Sequence, residues 1–140
     1  AMGRTTGPVL WHPALFKYGA SEVSTRFAER AGQPIDELAY AHWAAMQTVA
    51  NAILAVNGSD AAPLREHLRT QTRFDGRKAA PLTFRAWNQQ MRHELYIVEP
   101  SAEGTVVGAS VPASMPEAST ARRTALDTLG HSAETSSCTL

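Results

Sequence analysis

LAYAHWAAMQTVANAI, residues 38–53, is the stretch that decides the fold class of this chain. Its apolar residues recur every three to four positions, which predicts an amphipathic helix whose apolar stripe faces the core. The predicted stripe consists of Ile35, Leu38, His42, Met46, Val49 and Ile53. Pro34 is suited to open this helix and Asn57-Gly58 to end it. Its many alanines favour close packing against a sheet or other helices.

The segments that follow change from helical to strand periodicity. DAAPLREHL (60–68) predicts a shorter helix. RFDGRKAAPLTF (73–84) predicts a glycine turn that opens a strand, and MRHELYIVEP (91–100) predicts a second strand. The polar turn between them predicts a hairpin over Pro81–Val98. Since Leu95–Val98 is apolar on both faces, it is typical of a strand inside a larger sheet.

The flanking segments complete an α/β pattern. Upstream, Val9–Trp11 predicts a short strand stopped by Pro13, and a helix is expected from Ser21 to Ala31, ended by Gly32. Downstream, the composition changes after Pro100. We therefore expect a flexible start at 1–6, a folded lobe at 7–100 and an extended tail at 101–140. Within that tail we expect a short strand and a short helix, at Thr105–Val107 and Arg122–Leu129.

Composition excludes some partners. Thirteen basic and thirteen acidic residues give a net charge of zero, which argues against a nucleic-acid-binding surface. Cys138 is the single cysteine, so the chain has no internal disulfide. The first residues do not have the pattern of a signal peptide. Ala1-Met2-Gly3 looks like the remnant of a cleaved expression tag, which would leave the native start unknown.

Motifs of catalysis and metal binding are missing from the sequence. It contains no nucleophile elbow, phosphate-binding loop or dinucleotide fingerprint, and no pair of histidines has metal-ligand spacing on a helix. His42 is expected to be a hydrogen-bonded core histidine. We therefore predict a protein that is not an enzyme and needs neither a metal nor a cofactor.

The best candidates for ligand contact are aromatic. Trp11 and His12 end the first predicted strand, and in open α/β sheets ligands bind beyond the carboxyl ends of strands. Tyr40 lies at the start of the long helix and could reach the same cleft. The alternative is that these rings only fill the core. Arg73, Arg77 and Lys78 could bind a carboxylate ligand, but a solvated turn is the preferred interpretation.

The order of these segments resembles the C-terminal portion of type I periplasmic solute-binding proteins, the branched-chain amino acid receptor family of ABC importers. Five motifs of that family have counterparts here in the correct order. They are Arg26–Gly32, Leu38–Met46, Pro63–Leu68, Phe74–Phe84 and Tyr96–Val98. Two departures are Ala79, at the second glycine of the turn, and Ala44-Ala45, which replace an Asp-Ala pair.

A narrower resemblance concerns the subfamily associated with pyrroloquinoline quinone (PQQ)-dependent alcohol oxidation. Phe84–Arg92 is similar to its W-[ND]-x-Q-[LM]-R run, and Leu126–Gly130 to its L-D-T-L-G tail. The resemblance spans about residues 8 to 131. It implies a partial type I binding-protein lobe, with helices packed on a small sheet, a hairpin and an extended tail.

That resemblance implies a function and partners. A periplasmic, non-catalytic receptor would bind a small molecule such as PQQ or an amino acid, and the full-length protein would meet an ABC permease. A complete receptor has two lobes, so the chain is expected to be a C-terminal piece. The alternative is a truncated interaction module that self-associates to complete its sheet, because a partial sheet leaves edges uncovered. Either way, we expect a homo-oligomer.

Overall fold

The chain is a mixture of helices and small antiparallel sheets. A computed structural model describes residues 7–78, 80–85, 87–101 and 104–111. The elements are β1 (Gly7–Val9), a 3-10 turn (Lys17–Gly19), α1 (Ala20–Ala31), α2 (Glu37–Val56), α3 (Ala61–Gln71), β2 (Thr83–Phe84), β3 (Met91–Arg92), β4 (Leu95–Ser101) and β5 (Gly104–Val111). The helix expected at Arg122–Leu129 and the flexible start expected at 1–6 lie outside the described residues.

These elements belong to two compact units. The first unit contains residues 7–43, 77–78, 94–101 and 104–111, and the second contains 44–76, 80–85 and 87–93. The buried apolar residues of the first unit are Val9, Trp11, Leu15, Ala20, Ile35, Tyr40, Tyr96 and Val98. Those of the second are Ala44, Ala52, Phe74 and Leu82. Within the described residues, no helix is long and apolar enough to cross a membrane.

The ends of α2 are set by local hydrogen bonds. The carboxylate of Asp36 accepts the backbone N–H of Ala39 at 2.8 Å, which satisfies one of the free donors of the first turn. At the other end Asn57 adopts a left-handed conformation, with φ of 51°. Its N–H bonds the carbonyl of Leu54, and the N–H of Gly58 bonds that of Ile53. This pair of bonds is a Schellman motif, so the predicted stop at Asn57-Gly58 is confirmed.

The buried face of α2 is not the one that hydrophobicity predicts. The buried positions recur every four residues and carry small side chains after the first; they are Tyr40, Ala44, Thr48 and Ala52. Leu38, Met46 and Leu54, by contrast, are 67%, 71% and 78% exposed. Thr48 is tolerated on the buried face because its hydroxyl donates to the carbonyl of Ala44 at 2.7 Å. The predicted core stripe is therefore wrong, with Ile35 its one buried member.

The larger sheet has the order β1-β4-β5 and is antiparallel throughout. β4 is its central strand, pairing Tyr96 with Val9 on one side and with Ser110 on the other. A register shift between Ile97 and Val98 marks a bulge against β5. The expectation that Leu95–Val98 lies inside a larger sheet is confirmed, and the short strand expected at Thr105–Val107 forms part of β5.

The predicted hairpin is smaller than expected. β2 and β3 pair Thr83 with Arg92 and Phe84 with Met91, around the predicted turn. The second strand then breaks at residues 93–94, and its continuation is β4 of the other sheet. α1 also differs at its start, because Gly19 and not Ser21 occupies the N-cap. Its predicted end at Gly32 is confirmed by a left-handed φ of 69°.

Candidate functional site

Two of the three predicted ligand-contact residues meet in the first unit. The rings of Trp11 and Tyr40 are stacked, with centroids 4.2 Å apart and an interplanar angle of 12°. Such a pair contributes about 0.5–1.5 kcal/mol beyond its burial. Both residues are enclosed, since Trp11 is 2% exposed and Tyr40 is 0% exposed. A solute can touch these rings only if the residues that cover them move.

The indole N–H of Trp11 is an unusual feature of this stack. Nε1 is buried and has no hydrogen-bond partner. A buried donor without an acceptor costs roughly 1–3 kcal/mol. Packing of the indole ring must therefore outweigh this cost to keep Trp11 in its buried position. Stacking on Tyr40 therefore explains why Trp11 is in the core, although its Nε1–H has no acceptor there.

His12, the third predicted contact, is only half-buried and has a defined tautomer. Its Nδ1 lies 3.1 Å from the backbone N of Ala14, which can only donate. Nδ1 must therefore be unprotonated, and the ring hydrogen is on Nε2. Burial lowers the pKa of His12, which favours the same neutral form. His12 thus offers a single N–H donor from a half-exposed position.

Lys78 lies beside the aromatic stack and is 4% exposed, so its expected place in a solvated turn is wrong. Its Nζ donates to the backbone carbonyls of Leu10 and Glu94, each at 2.6 Å. It also lies 5.1 Å from the ring centroid of Tyr40 and 5.0 Å from that of Tyr96. Two carbonyls and two aromatic faces thus replace the water that this ammonium loses.

Burial shifts two pKa values in this cluster. Burial lowers the pKa of Lys78 to about 7, against the carboxylates of Glu94 and Glu37, which raise it. Burial raises the pKa of Tyr96 well above its usual range, and Glu94 and Tyr18 act in the same direction. Tyr96 is therefore neutral at physiological pH, whereas Lys78 exchanges its proton near neutrality.

The loop after β1 presents two further aromatic side chains to solvent. Phe16 is 72% exposed and Tyr18 is 59% exposed. Tyr18 and Gly19 both have positive φ, of 57° and 80°. A Cβ on Gly19 would lie 3.3 Å from Cδ of Arg77, so this glycine allows the arginine to pack closely against the turn. The loop thus combines the donor of His12 with exposed rings on which a flat molecule can stack.

The sequence did not identify Lys78, Phe16 or Tyr18 as parts of one site. The contacts of Lys78 join positions that are far apart in the chain, so no local motif reveals them. The rings of Phe16 and Tyr18 could have been noticed as two aromatic residues just before Gly19. The argument from the carboxyl ends of parallel strands does not apply to this antiparallel sheet.

The histidines and acidic residues of the described ranges do not gather into a group that could hold a metal ion. His42 donates Nδ1–H to the carbonyl of Leu38 at 2.7 Å, as expected of a hydrogen-bonded histidine. It is exposed, however, so the prediction that it lies in the core is wrong. No family model, curated protein or solved structure matches the chain.

Proposed function

We propose that the chain is the C-terminal portion of the solute-binding component of an ABC-type importer. It is a non-catalytic receptor that acts in the periplasm and delivers a small molecule to an ABC permease. The order of five sequence motifs supports this proposal. The observation that carries it is the stack of Trp11, two residues after β1, on Tyr40, with the donor of His12 in the adjacent position.

The chemistry of the site suits a flat or carboxylate-bearing solute. PQQ and amino acids both carry carboxylate oxygens, which can accept the Nε2–H of His12. The exposed rings of Phe16 and Tyr18 can stack on a planar molecule such as PQQ. Trp11 and Tyr40 contact the solute when the residues that cover them move.

Calorimetric titration of the protein with PQQ and with leucine, isoleucine and valine tests this proposal. We expect saturable binding of one of these two solute classes. Trp11→Ala should weaken that binding at least tenfold, and Glu29→Ala, at an exposed position of α1, serves as the control. Absence of binding for every solute would overturn the receptor function. Unchanged affinity in Trp11→Ala would remove Trp11 from the site.

A second function is favoured by the exposed side of α2. Met46, Val49, Ile53 and Leu54 all present apolar surface to solvent on the part of this helix that belongs to the second unit. Grouped apolar side chains of this kind mark protein interaction surfaces. A module that self-associates through them is the alternative function, with a second copy of the chain as its partner.

Light scattering coupled to size exclusion separates the two functions. The interaction module predicts a dimer or larger assembly that Met46→Gln with Leu54→Gln converts to a monomer. A monomer at all concentrations in the unmodified protein would exclude this alternative. The receptor function is compatible with either a monomer or a larger assembly, because solute binding is proposed at the loop after β1 and not at α2.

A further inference from the structure

Lys78 is buried among groups from three separate parts of the chain. Its two carbonyl acceptors belong to Leu10 and Glu94, which lie 68 and 16 positions away. Leu10 directly follows β1, and Glu94 directly precedes β4. One amine therefore holds the ends of two paired strands together.

The peptide unit that leads into Trp11 is held by these contacts. The carbonyl of Leu10, which is bonded covalently to the nitrogen of Trp11, accepts a hydrogen bond from Lys78. The backbone N–H of Leu10 donates to the carboxylate of Glu37, in the first turn of α2. Both polar groups of Leu10 are thus paired, and the chain direction into Trp11 and His12 is fixed.

The charged and titratable groups around Lys78 come from each neighbouring element. Glu37 and Tyr40 belong to α2, Glu94 precedes β4, and Tyr96 lies in β4. The two carboxylates favour the ammonium form, whereas burial favours the neutral amine. The charge on this amine therefore changes with pH near neutrality, which gives its role a measurable signature.

We propose that Lys78 is a positioning residue for the solute site, which holds the segment Leu10–His12 in place through the carbonyl of Leu10. The inference rests on the proposed function for its effect on solute affinity. Its structural part, the enclosure of Trp11, does not depend on any solute. Removing the amine should free the end of β1, uncover the indole of Trp11 and weaken solute binding.

The structural part is tested with Trp11 as the single indole of the protein. Trp43→Phe with Trp87→Phe leaves this reporter, since the chain has three tryptophans. Lys78→Met is compared with Lys17→Met, which removes the one other lysine from an exposed position. We expect acrylamide to quench Trp11 at least threefold more efficiently in Lys78→Met, and no change in Lys17→Met.

The pH profile separates positioning from a general loss of structure. In the parent protein, quenching of Trp11 should change with a midpoint near pH 7, and Lys78→Met should abolish that transition while circular dichroism still shows folded protein. Lys78→Arg keeps a cationic donor and should restore low quenching without the transition. If Lys78→Met fails to fold, the pH profile of Trp11 quenching in Lys78→Arg is compared with that of the parent protein, and loss of the transition near pH 7 supports the proposal. Equal quenching and an unaltered pH profile in the Lys78 variants would overturn the proposal.

Solute affinity supplies the last arm of the experiment. If the parent protein binds PQQ or an amino acid, Lys78→Met should bind it at least tenfold more weakly. Arg30→Met, which removes an exposed cation from the end of α1, should bind it equally well. Unchanged affinity in Lys78→Met would overturn the positioning role. If the parent protein binds none of these solutes, the proposed function fails, and the quenching result still decides whether Lys78 positions Trp11.

Discussion

Two buried cations of this protein are satisfied in opposite ways. Lys78, in the first unit, bonds the carbonyls of residues 68 and 16 positions away. Arg85, in the second unit, is 6% exposed and donates to the side chain of Gln90, five positions away. Its guanidinium also lies 5.7 Å from the ring centroid of Trp87, in the same turn. One cation ties distant segments together, and the other stabilises its own hairpin.

This difference predicts unequal consequences when each cation is removed. A local contact re-forms whenever its turn forms, and its partners can rotate into water. A long-range contact leaves buried acceptors behind in segments that are far apart in the chain. The energetic penalty should therefore be larger for Lys78 than for Arg85.

Lys78→Met should have the largest effect on the free energy of unfolding. The carbonyls of Leu10 and Glu94 would lose their donor in the interior, which costs about 1–3 kcal/mol for each unsatisfied group. Folding at pH 9 also requires the Lys78 amine to lose its proton, a cost that Lys78→Met avoids, so we expect a net loss of about 2–3 kcal/mol at that pH. Urea denaturation measures it, with Lys17→Met as the control. A smaller loss of unfolding free energy in Lys78→Met than in Arg85→Met would contradict the proposed difference between the two cations.

The pH dependence of stability should follow from Lys78. Its pKa is about 7 in the folded protein and 10.5 as the ordinary value, so between these limits the unfolded chain binds a proton that the folded chain does not. Stability therefore rises from pH 7 toward pH 10, by roughly 3–4 kcal/mol, since each pH unit between the two pKa values contributes about 1.4 kcal/mol. Above pH 10, Tyr96 reverses the trend, since its raised pKa keeps it protonated only in the folded state.

Urea midpoints measured from pH 6 to pH 10 check this profile. Lys78→Met should have a flat profile over the same range, because the titrating group is gone. A rise of equal size in both proteins would assign the pH dependence to another residue.

Arg85→Met should cost less, at about 1 kcal/mol, because its acceptor Gln90 is exposed and can hydrogen-bond to water. The cost should be the same from pH 6 to pH 10, since arginine keeps its charge throughout this range. Urea denaturation at both ends of the range measures it. A cost that changed with pH would show that Arg85 is coupled to a titrating group.

Gln90→Ala should have the smallest effect, at about 0.5 kcal/mol. The side-chain bond of 2.9 Å to Arg85 is lost, while the backbone bond between the same two residues, also 2.9 Å, is retained. Thermal unfolding of this variant beside Arg85→Met tests whether the hairpin depends on the backbone or on the side-chain pair. A larger loss in Gln90→Ala than in Arg85→Met would contradict the assignment of Arg85 to local partners.

The same contrast explains how far the sequence was informative. The turn around Arg85 was predicted because its polar residues are contiguous, and the end of α2 was predicted because Asn57-Gly58 acts locally. The start of α2 was expected at Pro34, but the helix begins at Glu37, after the cap of Asp36. The buried position of Lys78 was not predicted, since its partners are distant in sequence. Trp11 and Tyr40 were each identified as candidates, but their stacking joins positions 29 apart and follows only from the fold.

The face of α2 shows a second limit. The hydrophobic pattern predicted that Met46 and Ile53 would be buried, whereas the buried residues in the part of α2 that belongs to the second unit are Ala44, Thr48 and Ala52. Small side chains allow close approach of neighbouring backbone, and a hydroxyl can be satisfied by its own helix, as in Thr48. A periodicity argument ranks faces by apolar size, so it cannot detect a face chosen for its small residues.

The ionisation of Lys78 is the most direct test of the account. The chain has only two lysines, so Lys17→Arg leaves Lys78 as the single source of lysine side-chain signals in nuclear magnetic resonance. With ¹³C-labelled lysine, the Cε shift of Lys78 should titrate with a midpoint of about 7. A midpoint at its ordinary value of 10.5 would place the amine in water and contradict its role as a buried link between Leu10 and Glu94.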